Sequence, residues 1–532
     1  MIKKIFAIVI LGLLSIFAQD TQKQNPGVQL PDFVITGKDV ISVENAKKIP
    51  PPFISTVSEE FFKPTFSPEE LNVINVDIPI KGSQIPYDSI HSYNGQVDAG
   101  MGLYSLPYFK FNYSQPFKGG IFEGFAKGLN QKAFITNSDK YLISGGANLL
   151  LFVSDKSSFL PGTHFKLSGN YSLNNYKLYN SIDPLTRRNL SEGYGSLKIE
   201  NLISKYIIFS GNIADNLTAI NNENYTENLM KIEGFAKMGF PAFYLGMNAG
   251  FQKQFLTIDS LNNYKSFYVT AKPYAELNIT NLLKASFGLD YAQVSGDNFF
   301  SLYASGALNL GNGISIYGDF SPGTEYLTSK YFLDINPYYS PHHFVDLFVK
   351  KNAAINAYIK YEYHRLFEID GGVKYYHAEN LPYFSDELTR GVYNIFTAKA
   401  KSFSAFVNFI MPLGIYGQFY GTLEANSTKE DSSGKFIPYF PQYLSSLSYG
   451  YNFQNGFYGQ IKIKYDEGNY TNIINSAKLN SYFNLSFDFS YQVSPGFILS
   501  LRLSNLINNK NYLWNGYQDL PLNVTGGISY NF

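Results

Sequence analysis

Cysteine is absent from this chain of 532 residues, which excludes disulfides, thiolate metal sites, a cysteine nucleophile and a lipid-modified N-terminal cysteine. Charge is scarce: Asp, Glu, Lys and Arg make up 16% of the sequence, against roughly 25% in ordinary globular domains. The net charge is zero, so the basic excess of a nucleic-acid-binding protein is missing. No catalytic constellation stands out, and we predict neither an enzyme nor a cofactor or metal site.

Long apolar runs are also missing, apart from one at the start of the chain. Lys3 and Lys4 precede an apolar run at residues 5–17, and Ala18 offers a small residue for cleavage. A helix needs about 20 apolar residues to span a bilayer, so we predict a signal peptide over residues 1–18. An exported chain that lacks later apolar runs but has alternating strands throughout, as described next, is expected in an outer membrane.

Aromatic residues are abundant, with 44 Tyr and 46 Phe, and they recur with a period of two. In the last fifty residues one apolar series is Phe483, Leu485, Phe487, Phe489, Tyr491 and Val493. Successive side chains of a strand point to opposite faces, so such a segment has one apolar face and one polar face. The pattern runs from about Ser92 to Phe532 in segments longer than the roughly 5–6 residues of soluble strands. We therefore predict an all-β fold, a transmembrane antiparallel β-barrel at residues 92–532, over a soluble solenoid or sandwich.

The connections between these segments alternate between short turns and long polar loops, as in outer-membrane barrels. Counting with this alternation predicts about 22 strands and requires residues 392–411 to form a single strand. An even count places both ends of the barrel on the periplasmic side.

Residues 19–91 differ from the barrel because proline is dense and no alternating pattern appears. Such a stretch is mostly extended, so we predict a short N-terminal segment in the periplasm or the lumen. Within it, residues 30–37 form a β-prone run closed by glycine. This run is either a linker with one transient strand or a recognition segment that a partner captures by strand addition.

The chain ends on a recognisable series of motifs. Residues 501–512 read LRLSNLINNKNY, Gly516-Tyr517 follows, and the last residue is Phe532. This tail resembles the C-terminal end of TonB-dependent receptors, and residues 318–325, with Asn336-Pro337, are similar to the mid-barrel region of that family. A further set of residues is similar to the TonB box of that family, and we predict that it binds a partner: Asp32, Phe33, Val34, Ile35, Thr36 and Gly37. The family's folded plug has no counterpart in residues 19–91, so the resemblance implies a receptor barrel without a plug.

The resemblance implies transport or uptake across the outer membrane. The expected partners are outer-membrane lipid, the barrel assembly machinery, and either TonB or a partner subunit that supplies a plug. The alternative is a structural or assembly platform that hosts partner subunits in the outer membrane. Both predict an outer-membrane location with the N-terminal segment in the periplasm.

Some polar-face residues are candidates for contact with a ligand in the lumen. We predict that five face the lumen: Tyr244, Tyr416, Tyr420, Tyr458 and Arg502. The tyrosines would either stack a sugar or another planar ligand, or pack against the N-terminal segment or a loop. Arg502 would either tune selectivity or be an ordinary solvated lumen residue.

Overall fold

The computed structural model describes residues 94–532 apart from 159, 203–206, 241–242, 259–261, 280–281, 343–346, 364–366 and 454. The predicted signal peptide, the proline-rich segment and the TonB-box-like run lie outside the described residues, so these assignments stay predictions.

Strands make up most of the described chain, and the longest reach well beyond what a bilayer needs. In chain order they are β1 Gly95–Gly102, β2 Ser105–Phe117, β3 Gly120–Gln131, β4 Lys140–Phe152, β5 His164–Lys177, β6 Arg187–Asn201, β7 Ile207–Ile220, β8 Tyr225–Gly239, β9 Phe243–Ile258, β10 Asn262–Asn278, β11 Leu283–Val294, β12 Asp297–Gly311, β13 Ile314–Phe320, β14 Gly323–Leu327, β15 Leu347–Tyr363, β16 Phe367–Thr389, β17 Val392–Pro412, β18 Gln418–Glu430, β19 Tyr443–Asn452, β20 Phe457–Glu467, β21 Tyr482–Ser494, β22 Phe497–Ser504, β23 Tyr512–Trp514, β24 Tyr517–Gln518 and β25 Asn523–Asn531.

Among the described residues, helical structure is limited to a few short pieces. One α-helix, α1, spans Ser329–Ile335, and 3₁₀ turns lie at Asn221–Glu223 and Gly414–Tyr416. In the described part of the chain, no helix has the length and apolar character needed to cross a membrane.

The strands close into one antiparallel barrel. The first strand, β1, pairs with β2 on one side and with the last strand, β25, on the other, with Ala99 opposite Ile528. Segments β13 and β14 both pair with β15 and together form one strand of the wall, while β23 and β24 form a hairpin outside it. The wall therefore has 22 strands, which confirms the predicted fold class and count. Residues 392–412 form a single strand, as the count required.

The two faces of the wall differ in the way that the alternation predicted. On β12, Phe300 and Leu302 point outward and are 65% and 64% exposed, while Tyr303 and Ser305 point to the lumen. The exposed large apolar residues of the other strands follow the same rule. An outward apolar belt around a polar lumen is the arrangement that a bilayer stabilises.

The two ends of the barrel differ in their connections. At the end that carries Phe532, which we call the short-turn end, most strands join through tight turns such as residues 118–119, 312–313 and 495–496. At the opposite, long-loop end lie the loops 178–186, 328–342, 431–442, 468–481 and 505–522. Residues 379–391 are mostly strand, because pairing of β16 with β17 resumes at Leu381–Ala398 beyond a bulge and the turn lies at 390–391.

The tail motif that carries the resemblance has a structural role in the last long loop. Asn505 has a left-handed backbone, with φ of 50°, and its side-chain amide donates to the carbonyl oxygens of Asn509 and Leu520 at 2.9 and 3.0 Å. The Asn511 side chain exchanges hydrogen bonds with both backbone groups of Phe483. The asparagines therefore substitute for strand pairing where the chain leaves β22 and fasten the loop to β21.

Candidate functional site

The loops of the long-loop end pack together across the mouth of the barrel. We call loops 178–186, 328–342, 431–442 and 505–522 the cap. Their apolar side chains share one buried cluster with the ends of strands that lie far apart around the wall: Tyr176, Leu178, Leu190, Ile220, Tyr225, Leu256, Ile258, Phe332, Leu333, Tyr339, Leu347, Phe384, Tyr393, Ile395 and Tyr517. The cap therefore has a hydrophobic core of its own.

Tyr517, from the Gly-Tyr pair of the tail motif, lies at the centre of the cap. Its ring is 2% exposed and stacks on Tyr338, with ring centroids 3.4 Å apart and planes 13° apart. It also meets the edge of Tyr179 at 4.9 Å, and its hydroxyl donates to the carbonyl oxygen of Gly391 at 2.6 Å. One residue thus joins the loop after β22 to the loop after β5, the loop after β14 and the β16–β17 turn.

A buried arginine fastens the cap to the wall. Arg188, at the start of β6, pairs with Glu223, with Nε 2.7 Å from Oε1 and Nη2 3.0 Å from Oε2. Its Nη1 donates to the carbonyl oxygens of Pro337 and Tyr339, both at 2.8 Å. The guanidinium is almost fully buried. These bonds satisfy a charge that would otherwise be costly to bury, and they fix the loop that follows α1.

Burial and charge shift the pKa values of several cap groups. Burial alone would raise the pKa of Glu223, but the hydrogen bond from His342 and the Arg188 charge hold it below its ordinary value. Burial raises the pKa of Tyr179 to about 12 and the pKa of Tyr338 well above its usual range. The folded state therefore favours an ionised Glu223 and neutral phenol groups on Tyr179 and Tyr338.

A second polar anchor lies under α1. The backbone N–H of Lys330 donates to Glu227 Oε2 at 2.8 Å, and its Nζ lies 2.6 Å from Glu192 Oε1. Burial would lower the pKa of Lys330, but Glu192 and Asp334 outweigh it, so the pKa is raised. The helix is thus held to β6 and β8, several strands away around the wall from β14, which precedes it.

A cavity of about 710 Å³ opens in the lumen wall formed by β9 to β17. It reaches residues 321–325, where the wall strand passes towards the cap. Among the tyrosines that line it, we call four on the lumen face the tyrosine stripe: Tyr274, Tyr303, Tyr317 and Tyr358. A large concave surface with aromatic side chains and a few polar groups is the usual form of a ligand site.

Strand register places the stripe in rows across the wall. Tyr274 lies directly opposite Gly246 on one side and Gly288 on the other, and Tyr303 lies opposite the same Gly288. In the second row, Tyr317 lies opposite Tyr358, with ring centroids 4.7 Å apart. In the first row, glycine opposite tyrosine lets the rings of Tyr274 and Tyr303 lie over the neighbouring strands.

The acidic residues that line the cavity each have a polar partner. Lys272 Nζ lies 2.6 Å from Asp290 Oδ2, and Lys237 Nζ lies 2.7 Å from Glu276 Oε2. Lys351 pairs with Glu325. The Asn356 amide nitrogen donates to both oxygens of Asp319 at 3.0 Å. The cavity therefore presents hydrogen-bonding groups without a strong field of one sign.

The structure places four of the five predicted lumen residues on the polar face, on four different strands. Tyr244 lies on β9 with its ring 4.5 Å from Lys237 Nζ. Tyr420 lies on β18 opposite Ser448, and Tyr458 is buried on β20. Arg502 Nε lies 2.6 Å from Asp488 Oδ1, and Lys462 Nζ lies 2.7 Å from the other oxygen, Oδ2. Their roles as ligand contacts stay predictions.

Tyr416 lies elsewhere. The strand expected to include it begins at Gln418, and Tyr416 occupies an exposed 3₁₀ turn at the short-turn end. Gly414 and Gly417 have φ of 60° and 99°, which ends the strand pairing there. Tyr416 is thus not grouped with the other tyrosines.

Sequence reasoning missed the tyrosine stripe and the buried Arg188. Each stripe tyrosine lies on the polar face of its own strand. The alternation therefore predicted that each one faces the lumen, but not that the four lie near one another on neighbouring strands. The available signal was glycine at positions that oppose tyrosine, which becomes visible only once the register is known. Among the described residues, no three His, Asp or Glu side chains are grouped closely enough to hold a metal ion.

Comparisons with known proteins give matches only at the level of structure. No protein-family model matches the sequence, and neither does any curated protein. The siderophore receptor PirA from Pseudomonas aeruginosa matches with a TM-score of 0.60 and 11% identity over 85% of this chain and 81% of that one. The FrpB iron transporter from Neisseria meningitidis matches with a TM-score of 0.63 and 9% identity over 83% and 82%. The ferric yersiniabactin uptake receptor FyuA from Yersinia pestis matches with a TM-score of 0.59 and 12% identity over 85% and 81%. At these identities the likeness concerns the fold, and the fold of this chain is the barrel of TonB-dependent receptors.

Proposed function

We propose that this protein is an outer-membrane transport barrel that carries a ligand through its lumen past the tyrosine-lined cavity. The observation that supports it is a closed barrel with an outward apolar belt, a polar inner wall and a cavity in that wall. The structural neighbours named above are receptors and transporters, which is consistent with this proposal. In it the long-loop end faces the outside, so the cap stands between the cavity and the exterior.

The test uses the absence of cysteine from the chain. In the cap, the Asn180 side-chain amide donates to the carbonyl oxygen of Asn515 at 3.2 Å, so the two residues lie close together, and disulfide formation between cysteines placed there is checked by loss of free thiols on oxidation. The double variant Asn180→Cys/Asn515→Cys is reconstituted in planar bilayers as the full chain. We expect conductance to rise on reduction and to fall on oxidation. Each single-cysteine variant is the control, and equal conductance of the oxidised and reduced forms would contradict transport through the cap.

Coupling to TonB is part of the proposal for residues Asp32–Gly37 and rests on the sequence alone. A peptide of residues 30–37 is expected to bind the C-terminal domain of TonB in a titration. A peptide with Val34→Pro is the control, because proline removes a backbone donor that strand addition needs. Equal binding of both peptides, or of neither, would remove the coupling from the proposal.

A platform function is the second candidate, and exposed apolar side chains on the cap loops support it. Ile182 and Leu185 are 77% and 68% exposed in the loop that meets Asn515 and Gly391. A partner protein that covers this surface would explain the exposure. Purification in mild detergent separates the two functions: a stoichiometric partner that is lost in Ile182→Ser/Leu185→Ser favours the platform.

A further inference from the structure

We propose that the tyrosine stripe is a binding site for a neutral oligosaccharide. The inference deepens the proposed transport function and rests on it for its biological meaning, but binding itself can be measured without transport.

Two of the rings lie against the wall and leave one face free. A Cβ atom built on Gly246 would collide with the Tyr274 ring, and one built on Gly288 would lie 2.7 Å from Tyr303 Cε1. Each ring therefore covers a glycine and turns its other face to the lumen, where Tyr274 and Tyr303 remain half-buried. A fixed aromatic plane with one open face is a stacking platform, and its hydroxyl adds a polar edge.

Tyr317 and Tyr358 continue the stripe on the next two strands of the wall. Tyr317 is buried, and its ring supports Tyr358 from the neighbouring strand with an interplanar angle of 32°. Tyr358 is half-buried and presents the accessible surface of the pair. Three accessible rings thus follow one another along the inner wall.

The spacing of the rings suits a ligand made of repeated rings. Tyr274 and Tyr303 lie at the same level on strands separated by one strand, which is roughly 10 Å because neighbouring strands lie about 4.8 Å apart. A linear chain of sugar rings can place alternate rings over two such platforms. A single small planar molecule would engage only one of them.

The charges favour a neutral, hydroxyl-rich ligand over an ionic one. Asp290, Glu276 and Glu325 are each paired with a lysine, and Asp319 is held by the Asn356 amide. A strongly anionic or cationic ligand would have to compete with these pairs. Carboxylate and amide groups that are already oriented can accept and donate hydrogen bonds to sugar hydroxyls beside a stacked ring.

The experiment is a calorimetric titration of the full chain in detergent with neutral linear hexasaccharides of glucose, mannose, galactose and xylose. We expect at least one to bind, and Tyr303→Ala to weaken that binding about tenfold, as expected when one stacking face is removed. Tyr303→Phe keeps the face and should bind within about threefold of the unaltered protein. Absence of binding by all four sugars, or equal binding by Tyr303→Ala, would overturn the proposal.

A matched control lies on another part of the wall. Tyr108 covers Gly100 and Gly527 in the same manner but lies on β2, outside the cavity. Tyr108→Ala should bind sugar normally, and a loss equal to that of Tyr303→Ala would overturn the assignment of the site. Tyr303→Leu guards against misfolding, because leucine still covers Gly288 but offers no ring. It should fold, as judged by heat-modifiable gel mobility, and bind as weakly as Tyr303→Ala.

The results also separate this proposal from the transport function. Sugar binding that depends on Tyr303, without redox-dependent conductance of the cross-linked cap, supports the site and contradicts transport. Redox-dependent conductance without sugar binding supports transport and contradicts the sugar site. Binding of a ferric hydroxamate siderophore that needs Tyr303, with no sugar bound, would overturn the ligand class.

Discussion

The barrel wall exposes large apolar side chains on its outer face, whereas the cap packs a core of apolar side chains inside. On the wall, Leu302 is 64% exposed and points away from the protein, while in the cap Leu333 is 3% exposed and packs among aromatic rings. The wall satisfies its backbone through strand pairing and leaves its apolar belt for lipid. The cap has irregular backbone, so it uses side chains such as Arg188 to satisfy carbonyl oxygens, and it buries a core of apolar groups while others, such as Ile182, stay exposed.

This difference implies that the stability of the wall and the stability of the cap depend on different surroundings. The wall needs a bilayer or detergent around its belt, whereas the cap carries a core like that of a soluble domain. Trp514, the one tryptophan of the chain, lies in the cap, with its ring centroid 4.9 Å from Phe384 and 4.8 Å from Tyr439. Its fluorescence therefore reports on the cap, while circular dichroism reports mostly on the wall.

The largest expected effect is a charge on the lipid face. Leu302→Lys places an ammonium group in the apolar belt, which costs about 2–4 kcal/mol at the bilayer midplane. We expect a large loss of the folded form in lipid vesicles, measured by heat-modifiable gel mobility. Ser301→Lys is the control, because the adjacent residue points to the lumen. Equal folding of both variants would contradict the assignment of the two faces.

Removing the buried arginine should affect the cap and spare the wall. Arg188→Met leaves the half-buried Glu223 with His342 but without its arginine partner, and two carbonyl oxygens without donors, at a cost of about 3–5 kcal/mol. We expect Trp514 fluorescence to show cap unfolding at lower urea, with unchanged strand content by circular dichroism. Adding Glu223→Gln should recover part of the loss, since no unpaired charge then remains. A coincident loss of strand content would show that the two regions are not separable.

The same contrast explains how much the sequence could predict. The wall depends on a period of two and on connection lengths, which are local, so barrel and strand count were predictable. The cap depends on residues such as Tyr179, Tyr338 and Tyr517, which lie far apart along the chain and meet only after closure. The tyrosine stripe was predictable only in part. The alternation predicts that each of its tyrosines faces the lumen, but only the strand register shows that they lie together. Tyr416 was misplaced because two glycines end the strand pairing locally.

The pH dependence of stability should also separate the cap from the wall. The pKa of Glu223 is lower in the fold than its ordinary value of 4.5, so its contribution is present above that pH and is lost as the pH falls through the folded value. Tyr179 and Tyr338 have raised pKa values, so the cap should also weaken as the pH rises beyond the usual tyrosine value of 10.0. We expect the Trp514 unfolding midpoint to fall at both limits. Glu223→Gln should abolish the loss of stability at low pH and leave the loss at high pH unchanged. If the loss at low pH persists in this variant, another group causes it.

The smallest effect is expected from one hydroxyl at the centre of the cap. Tyr517→Phe loses the hydrogen bond to the carbonyl oxygen of Gly391 but keeps the ring stacked on Tyr338, so the cap should lose about 1 kcal/mol. Tyr517→Ala also removes the ring and should cost several times more, because a buried aromatic side chain leaves a cavity. The measurement is again the Trp514 unfolding midpoint in urea. If the two variants lose the same stability, the hydroxyl and not the stacked ring holds the cap together, and the cap would then resemble the hydrogen-bonded wall more than a packed core.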